Sequence, residues 1–196
     1  MKTHHHKILL GLFIVVTLQA TAQNTFDSGD GCLNVVSVTS GPGIGEYGDK
    51  CLSANYMHEK FISEQFTIGA GLGYSYHDRY QLSSIPVYLS ARYFFMDQSF
   101  SPFVHMRVGG FGIIKRKNID NQEPFSVSHH HSNFNLFVSP SIGVKLHLAS
   151  RFGVMASVSN DFYLLNAYDT KKGDYRHKLV GNWGINIGAF FQIPGW

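Results

Sequence analysis

The sequence predicts an all-β fold, an eight-stranded antiparallel transmembrane β-barrel. Three observations predict it. Apolar residues alternate with small or polar ones over long stretches, the period of a strand whose two faces meet different surroundings. These stretches reach 10 to 15 residues, beyond the roughly five or six of globular strands and suited to strands tilted across a bilayer. Charged residues make up only 15% of the chain, aromatics reach 14% and glycines number 20. A soluble sandwich or lipocalin-like barrel also alternates. Run length, aromatics near the ends of the apolar faces and small or polar opposite faces favour the membrane form.

Residues 1–22 read as a cleavable secretory signal, with 23–196 as the barrel domain. Lys2 and Lys7 form a positive start around His4, His5 and His6; Ile8 to Leu18 are apolar, and Ala20-Thr21-Ala22 offers a small-x-small cleavage site. The apolar stretch is shorter than the about 20 residues of a helical span. Without Lys2 and Lys7, the 16 basic residues become 14 against 13 acidic ones. That balance gives no argument for a nucleic-acid partner.

The eight strands are expected at 33–44, 50–59, 64–77, 84–96, 101–114, 133–148, 151–165 and 178–193. The first is the weakest, because Val35, Val36 and Val38 break the alternation and Gly41-Pro42-Gly43 interrupts it. It is expected shifted, bent or partly outside the barrel. The second follows through a hairpin at Gly45–Asp49. In the third, Phe66, Ile68, Ala70, Leu72, Tyr74 and Tyr76 oppose Thr67, Gly69, Gly71, Gly73, Ser75 and His77. The fourth carries Arg92 on its inward face, and the fifth carries His105 and Arg107. The sixth sets Leu136, Val138, Ile142 and Val144 against Ser139, Ser141, Gly143, Lys145 and His147. The seventh places Asp161 inward. The eighth sets Trp183, Ile185, Ile187, Phe191 and Ile193 against Asn182, Gly184, Asn186, Phe190 and Gln192.

Connections alternate in length. Short ones at 60–63, 97–99 and 149–150 alternate with longer ones at 77–83, 115–132 and 166–177. Short periplasmic turns and longer external loops give this pattern. The first hairpin would also put Cys32 and Cys51 about 25–30 Å apart, at opposite membrane faces. A disulfide needs Cα atoms within about 7 Å, so no bond between them is expected.

The segments Ser84-Ile85-Pro86-Val87-Tyr88-Leu89-Ser90-Ala91-Arg92-Tyr93-Phe94-Phe95, Ser101-Pro102-Phe103-Val104-His105-Met106-Arg107-Val108-Gly109 and Ser139-Pro140-Ser141-Ile142-Gly143-Val144 resemble small outer-membrane β-barrel proteins of Bacteroidetes. These form a branch of the OmpA/OmpX-like, porin-like group. The resemblance implies a bacterial outer-membrane location and this fold, with little mechanism. It departs in having no following peptidoglycan-binding domain, so a cell-wall tether is not expected. It also implies contact with the barrel-assembly machinery through the final strand, with Phe191 and Trp196 as the candidate signal. Trp196 serves equally as an interfacial anchor.

The inward Arg92, His105, Arg107, Lys145, His147 and Asp161 suggest either an ion or ligand site or a hydrogen-bonded polar core. The core is favoured because an eight-stranded interior is just wide enough for side chains. Three cations against Asp161 call for water or further acidic partners, since buried charges need pairing or solvation. His129, His130 and His131 sit in the longest loop, with Lys115, Arg116 and Lys117 at its other end. Three consecutive imidazoles on an extended chain cannot all face one ion, so no metal is expected. The basic triplet suits lipopolysaccharide phosphates or an unknown surface ligand. Ser128 and Ser132 beside these histidines supply residue types for lipid A or phospholipid acyl chemistry. No acidic partner stands at a telling spacing. Gly69-x-Gly71-x-Gly73 lies within a strand with no helix after it, which excludes a dinucleotide site. The expectation is a non-enzymatic structural or surface-interaction barrel without catalytic residues or cofactor. A narrow pore or a lipid-modifying enzyme is the alternative.

Overall fold

The computed structural model describes residues 31–44, 50–78, 82–116, 125–126, 134–169 and 174–194. Eight long strands form the fold: β1 (Cys32–Gly41), β2 (Cys51–Ser63), β3 (Phe66–His77), β4 (Leu82–Phe94), β5 (Phe100–Arg116), β6 (Phe134–Ala149), β7 (Phe152–Asp169) and β8 (Asp174–Ile193). Each pairs antiparallel with the next, and β8 pairs back onto β1. The sheet is therefore a closed eight-stranded antiparallel barrel. Two-residue ladder segments extend it at Gly43–Ile44 and Phe125–Ser126.

Closure has a definite stagger. From Asn34 the Cα partners run through His58, Ala70, Leu89, Val108, Val138, Phe162 and Gly181, returning to the chain at Ile44, ten residues along. Such a shear accompanies strands tilted by roughly 35–45°. It also fixes which side chains share a level inside.

The first strand belongs to the barrel. Leu33 and Val35 are buried within it, and Val36 and Val38 point outward at 59% and 51% exposure. Its irregular alternation reflects an interior that is apolar at one end. Pro42 does end the strand, and its carbonyl accepts from the Trp183 N–H at 3.2 Å. β2 runs to Ser63, so 60–63 is strand and the turn there is Glu64–Gln65. β7 and β8 extend beyond 165 and before 178, to Asp169 and Asp174. Cys32 pairs with Lys60 and Cys51 with Gly41, so the free thiols sit at opposite ends of the first hairpin.

Outward faces are mainly apolar around the whole circuit, with Leu72, Val87, Leu89, Ile142, Ile185 and Ile187 well exposed. Tyr93, Phe95, Phe100, Phe152 and Phe191 ring the end with the tight turns, and Tyr74, Tyr76 and Trp183 lie toward the loop end. One polar interruption sits on β1 and β2. There the Tyr56 hydroxyl and His58 Nδ1 each lie 2.8 Å from Asn34 Oδ1.

Inward faces are not only small and polar. Phe61, Phe94, Phe103, Phe111, Phe137 and Phe190 are buried among them. Glycines on neighbouring strands make the room. A Cβ at Gly71 would stand 2.4 Å from the Tyr88 ring, and one at Gly109 would stand 2.6 Å from Tyr88 Cβ. Both are register partners of Tyr88. Gly143 and Gly153 do the same for Phe103 and Phe190.

Candidate functional site

The chemistry of the described residues is concentrated in the barrel interior, where alternate positions of β2 to β8 converge. Glu59 is the centre of one cluster and is fully buried. Its Oε1 accepts from Arg92 Nη2 at 3.1 Å and from Ser90 Oγ at 3.0 Å, and His105 Nε2 stands 3.5 Å away. Its Oε2 accepts from Thr67 Oγ1 at 2.9 Å. The Arg92 guanidinium also lies over the Phe103 ring, 5.0 Å from its centroid, a cation–π contact strengthened by desolvation.

Arg107 organises a second cluster. Its Nη2 donates to Ser139 Oγ at 2.7 Å and to Asp161 Oδ1 at 3.3 Å. Ser139 Oγ donates to the same carboxylate, and the Tyr163 hydroxyl reaches Asp161 Oδ2 at 3.4 Å. Lys145 lies apart from both, its Nζ 4.2 Å from the Phe94 ring centre. His147 Nε2 meets Gln192 Oε1 at 3.1 Å, with its ring edge-on to Phe190.

Aromatic layers bracket these clusters. Phe61, Phe94 and Phe103 pack together toward the tight-turn end. Tyr88, Phe111, Phe137, Tyr163 and His77 do so toward the loop end. Among the described residues, two cavities of about 30 Å³ and 20 Å³ lie against these clusters, each room for a water or two. Such an interior is packed and ion-paired, and its carboxylates are committed to guanidinium groups.

All six inward residues expected from the sequence are thus placed in the lumen, but in separate groups. Arg92 and His105 join Glu59, Arg107 joins Asp161, and Lys145 and His147 stand nearer the tight turns. Glu59 is one of the acidic partners that the sequence required without identifying. Its signal was the parity of Cys51, Ser53, Asn55, Met57, Glu59 and Phe61, which all face inward. Among the described residues no group of three histidine, cysteine or acidic side chains could hold a metal ion. Cys51 Sγ and His77 Nε2 lie 4.0 Å apart across one rung at the loop end. Phe191 faces outward at 49% exposure. Lys115 and Arg116 close β5. The expected signal segment, Lys117, His129, His130, His131 and Trp196 lie outside the described residues.

No family model and no curated protein matches the chain. Among solved structures it is similar to Neisserial surface protein A (NspA), with a TM-score of 0.60 and 10% identity over 82% of this chain and 96% of that one. It is similar to the outer membrane enzyme PagL, with a TM-score of 0.54 and 14% identity over 82% of this chain and 99% of that one. OprG, an outer membrane protein from Pseudomonas aeruginosa, gives 0.50 and 11% over 86% of this chain and 98% of that one. At these identities the likeness is one of fold. This chain is a closed eight-stranded antiparallel β-barrel of the architecture those proteins share.

Proposed function

We propose that the protein is a non-enzymatic barrel of the bacterial outer membrane, with a structural or surface-interaction role exerted through its external loops. The observation that carries this is the inversion of burial. The outer wall exposes Leu89, Ile142, Ile185 and Ile187 at 62–70%, while Glu59, Arg92, Arg107 and Asp161 are shut inside. A water-soluble barrel buries its apolar residues, and soluble surfaces rarely carry contiguous apolar patches above a few hundred Å². A hydrocarbon surround fits this wall, because a closed barrel leaves no unpaired strand edge to satisfy. The filled lumen supports a role outside the barrel wall more than conduction through it.

Further parts of the proposal concern the ends of the molecule. Lys115, Arg116 and Lys117 would meet lipopolysaccharide phosphates at the outer surface. Phe191 and Trp196 would serve recognition of the last strand by the barrel-assembly machinery. Membrane fractionation with electrophoresis of unboiled and boiled samples tests the core of the proposal. The expected result is a membrane-bound protein whose mobility changes on boiling. A soluble species with unchanged mobility would overturn it. Replacing residues 115–132 by a short linker then separates the two roles. Surface binding should fall while the mobility shift stays.

A further inference from the structure

At the loop end of the barrel a thiol and an imidazole face each other across one rung. The Asp78 N–H donates to the Lys50 carbonyl at 3.0 Å, so the next rung, Cys51 opposite His77, is one without backbone hydrogen bonds of its own. Side chains stand closest across such rungs. Both point into the lumen, at 9% and 6% exposure. Cys51 Sγ and His77 Nε2 come to 4.0 Å, and the Tyr163 ring packs edge-on against the imidazole. Cys51 is free, and Cys32, the other cysteine of the chain, lies at the opposite end of the same hairpin. No disulfide within the molecule can consume this thiol.

The separation bears on what two such donors can share. Bonds of about 2.3 Å to sulfur and 2.0 Å to nitrogen, the lengths found at zinc, set the donors about 3.6 Å apart at a tetrahedral angle and about 4.3 Å apart in a straight line. The observed 4.0 Å needs an angle of about 135° at those lengths. So wide an angle belongs to an ion with few ligands, and among the described residues no third histidine, cysteine or acidic donor completes a larger set. Structural zinc takes four ligands, and calcium and magnesium take oxygen. Soft sulfur selects Cu(I), which is satisfied by two ligands near a straight line and whose shorter bonds bring this separation close to linear. Charge agrees. A thiol loses its proton on binding metal, so thiolate and Cu(I) cancel, whereas a divalent ion would leave a net charge in a buried place.

We infer that Cys51 and His77 form a binding site for a single Cu(I) ion at the loop-end mouth of the lumen, the ion bridging Sγ and Nε2. On binding, the Cys51 S–H bond breaks, the S–Cu bond forms and the proton leaves to solvent. The His77 ring stays neutral and gives the lone pair of Nε2. Copper enters and remains as Cu(I), so no oxidant or reductant takes part. The site follows from the ladder alone and does not depend on what surrounds the barrel.

Cys32→Ser leaves Cys51 as the sole thiol of the chain. That protein, folded in detergent, is titrated anaerobically with Cu(I) against bicinchoninate, a coloured Cu(I) chelator. It should withdraw one Cu(I) per barrel, and X-ray absorption should show low-coordinate copper with one sulfur and one nitrogen neighbour. Adding Cys51→Ser should abolish this binding. Adding His77→Ala should weaken it by at least about ten-fold, the lower end of what loss of even an outer partner costs a metal site. Copper retained equally by the Cys51→Ser protein, which keeps every histidine of the chain, would overturn the inference. So would an unchanged affinity in the His77→Ala protein. A copper spectrum without a sulfur neighbour overturns it in the Cys32→Ser protein itself, with neither site residue altered. The boiling-dependent mobility shift, run on each sample, reports separately whether the barrel is folded.

Discussion

Glu59 shows what one side chain does for the interior. Its carboxylate takes Arg92, Ser90 and Thr67 at once, in a site where an unpaired charge is costly. Glu59→Gln should therefore lower stability by about 3–5 kcal/mol, the usual cost of breaking a buried pair by removing one partner. Combining Glu59→Leu with Arg92→Met should recover most of that loss, since an apolar pair of similar volume avoids stranding a charge. Urea unfolding of the barrel folded into vesicles, followed by electrophoretic mobility, measures both; a Glu59→Gln midpoint equal to wild type would contradict the role given to the pair. Arg92, His105, Arg107 and Asp161 were legible as inward residues because their strands have an apolar outer face. Glu59 was not, for a physical reason. Its outward neighbours His58 and Lys60 are polar too, so polarity alone does not tell the two faces of that segment apart.

At the scale of strands, the period of two was enough to count eight elements and orient most of them. What alternation cannot show is how large residues fit within the inner face. Tyr88 occupies space left by Gly71 on β3 and Gly109 on β5, its register partners on either side. These matches are between strands, and a single strand's sequence does not display them. Gly71→Val would drive its first carbon to within 2.4 Å of the Tyr88 ring. The expected cost is about 1–3 kcal/mol from overpacking, partly relieved when Tyr88→Leu is added. Thermal unfolding in detergent, read by far-ultraviolet circular dichroism, checks it; an unchanged transition would mean that Tyr88 moves aside freely. Strand ends were less legible than strand centres. Residues 60–63, expected as a short connection, continue β2, because their backbone still finds partners on β3 at Lys60, Phe61 and Ser63.

At the scale of the whole molecule, aromatic layers bracket two charge clusters in the described interior, and the cavities lined by those clusters are small, about 30 Å³ and 20 Å³. Purified protein in a planar bilayer should therefore show no stepwise conductance above background. Reproducible open-channel steps would require Arg92, Arg107 or the Phe111–Phe137–Tyr163 layer to move out of the axis. Closure through β1 and β8 has another consequence, this one for the order of folding. The two strands that form the seam, Cys32–Gly41 and Asp174–Ile193, are the first and the last of the eight in chain order. Until β8 is in place, a sheet built from the other strands carries two open edges competent to pair with any other strand. The circuit therefore closes only through the contact most distant in sequence, and a sheet stalled before it is exposed to pairing with its neighbours.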